Sequence, residues 1–197
     1  MGRPREFDET AVLAAATDCF WEHGYEATSI RELAASMGLT GASLYNAFGD
    51  KRALYGKALD HYINATFSER ASRFENQLPP LQAIHAFFAE IIERSLEDRR
   101  RRGCMLVNSA LEVAPHDPEF RTVITGVIER IEAFFRRCIE AGQQDGTITT
   151  AHPAEDLARH LLGVHVGLRV IARTQPDRAL LEGMVRPALA LLDAARH

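Results

Sequence analysis

Apolar residues recur at helical spacing through almost the whole chain, and no stretch of convincing length alternates like a strand. Phe7 and Val12 bracket Asp8, a good N-cap, in the arrangement of a hydrophobic staple. Val12, Ala15, Ala16, Cys19 and Phe20 then share one face until Gly24 stops the helix. Ser29 and Glu32 have capping-box spacing, and behind them Ile30, Leu33, Ala34 and Met37 form a short stripe that ends at Gly38. A third short helix opens at Thr40, turns Leu44 and Phe48 inward and stops at Gly49. Asp50 caps a fourth helix predicted over residues 50–75.

Longer elements follow. The spacing predicts helices over 80–98, 103–113 and 118–143, and two more from near Pro153 and Asp177. Pro79-Pro80, Pro115 and the Gly142/Gly146 pair mark the breaks, and Pro187 is expected to kink or split the last helix. The pattern therefore predicts an all-α chain of about nine helices. A small three-helix head (1–50) joins a larger helical body (51–197) through the fourth helix.

Composition narrows the function. The 197 residues are 46% hydrophobic and 25% charged, ordinary for a globular chain. No apolar run reaches the roughly 18–20 residues of a membrane span. MGRPREFDET has no signal-peptide core, and Glu6 breaks the myristoylation pattern. The expectation is a cytoplasmic protein with no membrane partner. Cys19, Cys104 and Cys138 are too widely spaced for a disulfide framework or zinc site. The histidines are scattered, and no paired catalytic motif or Gly-rich phosphate loop is present, so no enzyme, metal or cofactor is expected. A net charge of −4 argues against coating nucleic acid by bulk attraction, so any DNA binding must be local. The first 55 residues are not basic either.

The head supplies such a local arrangement. A short helix, a Gly38-containing turn and a second short helix form the helix-turn-helix unit. With Leu39, Leu44 and Phe48 inward, the third helix presents Gly41, Ala42, Ser43, Tyr45 and Asn46 outward. Small residues allow close approach to base edges, and Ser43, Tyr45 and Asn46 can bond bases or phosphates. Thr28 or Ser29, and Thr40 at the next helix start, sit where backbone N–H groups favour a phosphate. Lys51, in the first turn of the fourth helix, is poorly placed by the dipole argument, and a phosphate there would explain it. Spacing alone leaves two alternatives open: a capped hairpin with a solvated face, and a helical adaptor that binds no DNA.

Residues 8–55, including FWEHGYEATSIRELAASMGLTGASLYNAFGDKRALY, resemble the DNA-binding head of the TetR family of bacterial repressors. The shared positions are Gly24-Tyr25, Thr28-Ser29-Ile30, Gly38-Leu39, Leu44-Tyr45, Phe48 and Lys51. The resemblance implies a homodimer with two heads on one double-stranded DNA operator, and a body that binds a small-molecule inducer. The family often has Lys or Arg early in the recognition helix and His where Asn46 stands; here Gly41 and Asn46 imply fewer phosphate contacts and a shallower salt dependence. Arg3 and Arg5, in an N-terminal arm, are expected to compensate at the backbone or minor groove.

In the body, DLARHLLGVHVGLRVIAR carries a stripe of Leu157, Leu161, Val164, Leu168 and Ile171, with Gly163 and Gly167 four apart. The last helix adds Leu181, Met184, Leu189 and Leu192. These residues are the expected four-helix dimer interface, the alternative being an internal core. A pocket is expected from apolar Tyr62, Phe67, Phe87, Phe88, Ile91, Met105 and Phe134 with polar Asn108, Ser109, Glu112, His165 and Arg169. His165, in an apolar run, equally suits a core histidine. Cys104 follows Arg99–Arg102 and Gly103 at a helix start, where cations and the helix terminus favour a thiolate. The segment also resembles a TetR subgroup with Gly-Cys here, some members of which sense electrophiles or oxidants through that Cys. A thiol sensor is therefore an alternative, beside a small buried apolar residue. The arginine run itself reads as a solvated loop.

Overall fold

The computed structural model describes residues 8–194. Arg3, Arg5 and the Phe7 half of the staple lie outside that range. Helix α1 (Glu9–His23) starts at Asp8, whose carboxylate accepts from the Thr10 and Ala11 amides. It ends at Gly24, whose φ of 85° is a left-handed conformation. Helices α2 (Ile30–Ser36) and α3 (Gly41–Phe48) follow. Then α4 (Lys51–Ile63) runs through a π-helical turn (Asn64–Ser68) into α5 (Glu69–Gln77), the rod predicted over 50–75 with one wide turn inside it.

The body continues with α6 (Pro80–Glu97), α7 (Met105–Glu112), α8 (Pro118–Gln144), α9 (Ala154–Thr174) and α10 (Arg178–Ala190). Asp117 caps α8 ahead of Pro118 in its first turn. The sole strand-like pairing among the described residues is a bridge between Ile148 and Asp193. No helix among the described residues is long and apolar enough to cross a membrane. Helix α10 continues through Pro187, so the chain is not split there. The lost bond to the Gly183 carbonyl is tolerated because Pro187 and Gly183 are both exposed and one turn remains before the helix ends.

The body core centres on Phe87, Phe134 and Phe135, with ring centroids 5.1–5.4 Å apart, and α8 packs along α9. The head is not a separate globule. On α4, Leu54, Tyr55 and Ala58 complete the head core against α1, with Tyr55 edge-on to Phe20 at 5.0 Å. The Tyr55 hydroxyl also lies 2.6 Å from Ser109 Oγ of α7. Residue 50 marks a helix start, and buried side chains run across it.

Arg99, Arg100 and Arg101 are exposed in a loop, as expected of a solvated run, and the run also joins head to body. Arg102 lies over the Trp21 ring at 3.8 Å, and Arg102 and Arg100 bond Asp18 and Glu22 of α1 at 2.9 and 2.7 Å. The acidic face of α1 attracts the run, and the left-handed Arg101 (φ 54°) turns the chain there.

Candidate functional site: the helix-turn-helix face and the body cavity

The sequence dictates the local geometry of the head. Ser29 Oγ accepts from the Glu32 amide while Glu32 Oε2 accepts from the Ser29 amide, a closed capping box. Helix α2 ends in a Schellman turn: the Leu39 amide donates to the Ala34 carbonyl at 2.9 Å and the Gly38 amide to Ala35 at 3.2 Å. Gly38 has a φ of 64°, which glycine adopts without steric cost. Thr40 Oγ1 then accepts from the Ser43 amide at 3.1 Å and starts α3. Leu44 and Phe48 are buried, and Ala42, Ser43, Tyr45 and Asn46 are exposed, with Tyr45 51% accessible. Gly41 is half-buried at the N-terminus of the helix.

The remaining predicted contacts separate. Ser29 is exposed at the α2 N-terminus. Thr28 is only 1% exposed, and its hydroxyl donates to the Gly24 carbonyl at 2.5 Å, so its side chain holds the turn and faces no solvent. Lys51 Nζ donates to the Glu26 carbonyl at 3.3 Å and sits 4.5 Å from the Tyr25 ring centroid. That contact accounts for its place in the first turn without a phosphate.

Between α1 and the body lies a cavity of about 280 Å³. Of the expected pocket residues, Tyr62, Phe67, Phe87, Ile91, His165 and Arg169 line it, and so does Cys104. The others do not. Phe88 stacks on Phe135 at 5.6 Å, Phe134 is wedged between Phe87 and Phe135, and Met105 packs in the core. Asn108 bridges the Arg102 carbonyl and Arg173. Ser109 bonds Tyr55 and the Met105 carbonyl. Glu112 reaches the head, where its carboxylate accepts from the Tyr25 and Glu26 amides at 3.1 and 2.9 Å.

The sequence reading missed Trp21, Arg70, Ser95 and Val127, which also line the cavity. Arg70 had a legible signal: it stands on the apolar stripe of Ile63, Phe67 and Phe74. Its Nε lies 3.1 Å from Glu90, without hydrogen-bond alignment, and the same carboxylate also serves Arg73 and Arg94. Burial pulls the Arg70 guanidinium down to about 10, so it stays charged at neutral pH. Arg169 donates to Ser95 Oγ at 3.0 Å and to the Gly103 carbonyl at 2.6 Å. Burial, with Arg169 and Arg70 nearby, pushes the His165 imidazole down to about 3, so it is neutral. Its Nδ1 has no hydrogen-bond partner. Burial raises the Tyr62 phenol, which donates to Cys104 Sγ at 3.6 Å.

The expected interface residues also divide. Leu157, Leu161, Leu168, Leu181 and Leu192 are at most 4% exposed within one chain, because α9 and α10 turn them onto α8 and α6. They cannot face a partner. Gly163, Val164, Gly167, Ile171, Met184 and Leu189 are exposed or half-buried, beside Val170 and Leu191 at 43% and 46%.

An exposed, small-residue recognition helix on a capped helix-turn-helix, carried by a helical body with its own cavity, defines a DNA-binding regulator rather than an enzyme. Residues 12–58 match the family model "Bacterial regulatory proteins, tetR family", and residues 80–187 match "Tetracyclin repressor-like, C-terminal domain". The chain belongs to the TetR family of bacterial transcriptional regulators. It is 32% identical to the HTH-type transcriptional regulator YezE of Bacillus subtilis (strain 168), over 98% of this chain and 100% of that one. It is 28% identical to the repressor ComR of Escherichia coli (strain K12), over 95% and 88% of the two chains. Among solved structures, a cysteine mutant of the TetR family regulator CifR in complex with a 26 bp operator superposes with a TM-score of 0.86, at 30% identity, covering 97% of this chain and 100% of that chain.

Proposed function

We propose that the protein is a homodimeric repressor, acting in the cytoplasm, whose paired heads bind a two-fold symmetric double-stranded operator. A small molecule in the body cavity releases it. The observation that carries this reading is Trp21. It belongs to α1 of the head, yet it lines the body cavity and packs edge-on against Tyr62 at 4.9 Å. Occupying the cavity therefore bears directly on the placement of the head. The ligand releases DNA only in so far as it binds the non-matching head geometry better than the matching one.

The open apolar strip on α9 and α10 supports the dimer, and two-fold symmetry calls for half-site centres about 34–36 Å apart. The test is the mass of the complex with a selected operator, measured by sedimentation. Two chains, or two pairs, per duplex are expected. A single chain per site, or no complex with any duplex, would replace this reading with the adaptor.

A second reading rests on Cys104. Its sulfur lines the cavity beside the Tyr62 hydroxyl. Covalent capture of an electrophile there would fill the same space as a ligand. Cys104→Ser should then abolish release by electrophiles and leave operator affinity intact. Unaltered release by every electrophile tested would eliminate the thiol.

A further inference from the structure

The cavity is lined by a buried guanidinium, Arg70, and a half-buried one, Arg169, with too little negative charge for them. Among the described residues, Arg169 makes no ion pair, and its polar neighbours are the Ser95 hydroxyl, the Gly103 carbonyl, the Tyr62 phenol and the Cys104 thiol. Arg70, 8% exposed, shares Glu90 with Arg73 and Arg94. Buried cations are ordinarily paired, and leaving one uncompensated is costly. His165, 6% exposed, lines the same cavity with an unpartnered ring nitrogen, and so does Trp21 with an unpartnered indole N–H. Neither acidic residue of the lining supplies the missing charge: Asp98 is bonded to Arg102, and Glu97 is exposed and makes no ion pair with Arg70 or Arg169 among the described residues. The rest of the lining is largely apolar and includes Phe67, Phe87, Val127 and Ile131, with the Phe87 ring 5.8 Å from the Arg70 guanidinium.

From this arrangement we propose that the cavity takes a small organic monocarboxylate, its carboxylate at Arg70 and Arg169 and its apolar body among Phe67, Phe87, Val127 and Ile131. The proposal rests on reading the cavity as the effector site. The space, about 280 Å³, equals roughly nine water volumes, which suits an acid the size of benzoate or hexanoate. A single carboxylate matches the one charged end. An inorganic anion would leave the aromatic wall facing water.

Trp21 is the only tryptophan in the chain and lines the cavity, so its fluorescence reports occupancy without DNA. The experiment titrates the full-length protein with benzoate, hexanoate and other monocarboxylates of that size, their neutral amides, and inorganic phosphate. At least one acid is expected to change the emission saturably and to bind about ten- to a hundredfold tighter than its own amide, the advantage of charge-assisted over neutral hydrogen bonds. Arg70→Gln and Arg169→Gln are each expected to shrink that preference to within about threefold. Amides binding as well as acids, phosphate competing equally, or no response to any acid would overturn the proposal. The acid-to-amide comparison in the unaltered protein decides the matter even if a variant does not fold. Anion binding in a protein that fails to bind any operator would defeat the repressor reading and leave this one standing.

Discussion

Glu112 gives the most local test of how the head is held. Its carboxylate accepts from the Tyr25 and Glu26 amides at 3.1 and 2.9 Å, the two that follow the end of α1. Glu112→Ala removes both bonds. Hydrogen bonds to a charged group contribute about 1.5–3 kcal/mol when well buried; here Glu26 is exposed and water can replace part of the loss, so roughly 2 kcal/mol in total is expected. A chain of this length loses about 2–4 °C per kcal/mol, so the melting temperature should fall by about 4–8 °C. Glu112→Gln keeps one carbonyl acceptor and should fall about half as far. Hydrogen exchange locates the effect: the Tyr25 and Glu26 amides should exchange faster in Glu112→Ala, while amides within α8 keep their protection. The looser head should also bind operator several-fold more weakly. An unchanged melting temperature with unchanged exchange at Tyr25 and Glu26 would refute the clamp.

Four further outcomes follow from the same geometry. Tyr45→Ala and Asn46→Ala, on the exposed face of α3, should each weaken operator binding by roughly 1–3 kcal/mol if they read base edges, with stability changed by less than about 0.5 kcal/mol in thermal melts. Deleting residues 1–6 should lower operator affinity and reduce the slope of log affinity against log salt by about two, one for each of Arg3 and Arg5; an unchanged slope removes the arm from the interface. Gly163 has open space around the position of a Cβ, so Gly163→Arg should fold normally and dissociate the dimer in sedimentation; a dimer of wild-type strength would place the interface elsewhere. Hydrogen bonds from Arg52, then from the Phe120 amide, hold the Asp117 carboxyl at about 2, below its ordinary value near 3.9. A depressed folded value means the stabilisation is complete above about pH 4 and is lost as pH falls toward 2, so Asp117→Asn, which keeps the cap, should flatten that limb of melting temperature against pH.

The head was legible because its signals are local. Asp8, Ser29 with Glu32, Gly38, Thr40 and Asp50 each act within four residues, and each caps or turns the chain where the spacing placed it. The body was legible as helices but not as surfaces. Periodicity gives one apolar stripe per helix, and it does not say whether that stripe meets the chain's own neighbours or a second copy. Leu161 and Val164 belong to the same stripe, yet Leu161 is fully buried against the body while Val164 remains partly open. The cavity was half legible for a related reason. Adjacent aromatic residues on α6 divide, so Phe87 borders the space and Phe88 does not, while Phe134 and Phe135 of α8 fill the core behind it. Arg169 was found among the polar candidates, and Arg70, which breaks an apolar stripe, could have been found by that irregularity alone. Trp21 could not, because the packing of α1 on α4, which sets it edge-on to Tyr62, and of the arginine run on α1 brings it to the cavity. Thr28 was misjudged because a helix-proximal hydroxyl can serve the turn before it as readily as a phosphate outside it.

In the proposed function these heads act as a pair on a symmetric site under control of the body cavity. The most direct measurement is an unbiased selection from a random double-stranded library with the purified full-length protein at moderate salt, followed by sequencing with and without a cavity ligand. Recovery of a two-fold symmetric motif is expected, its half-sites one helical turn apart or a multiple of it, and its loss when the ligand is present. No enrichment even at low salt, with a protein shown to be free of ligand, would contradict it.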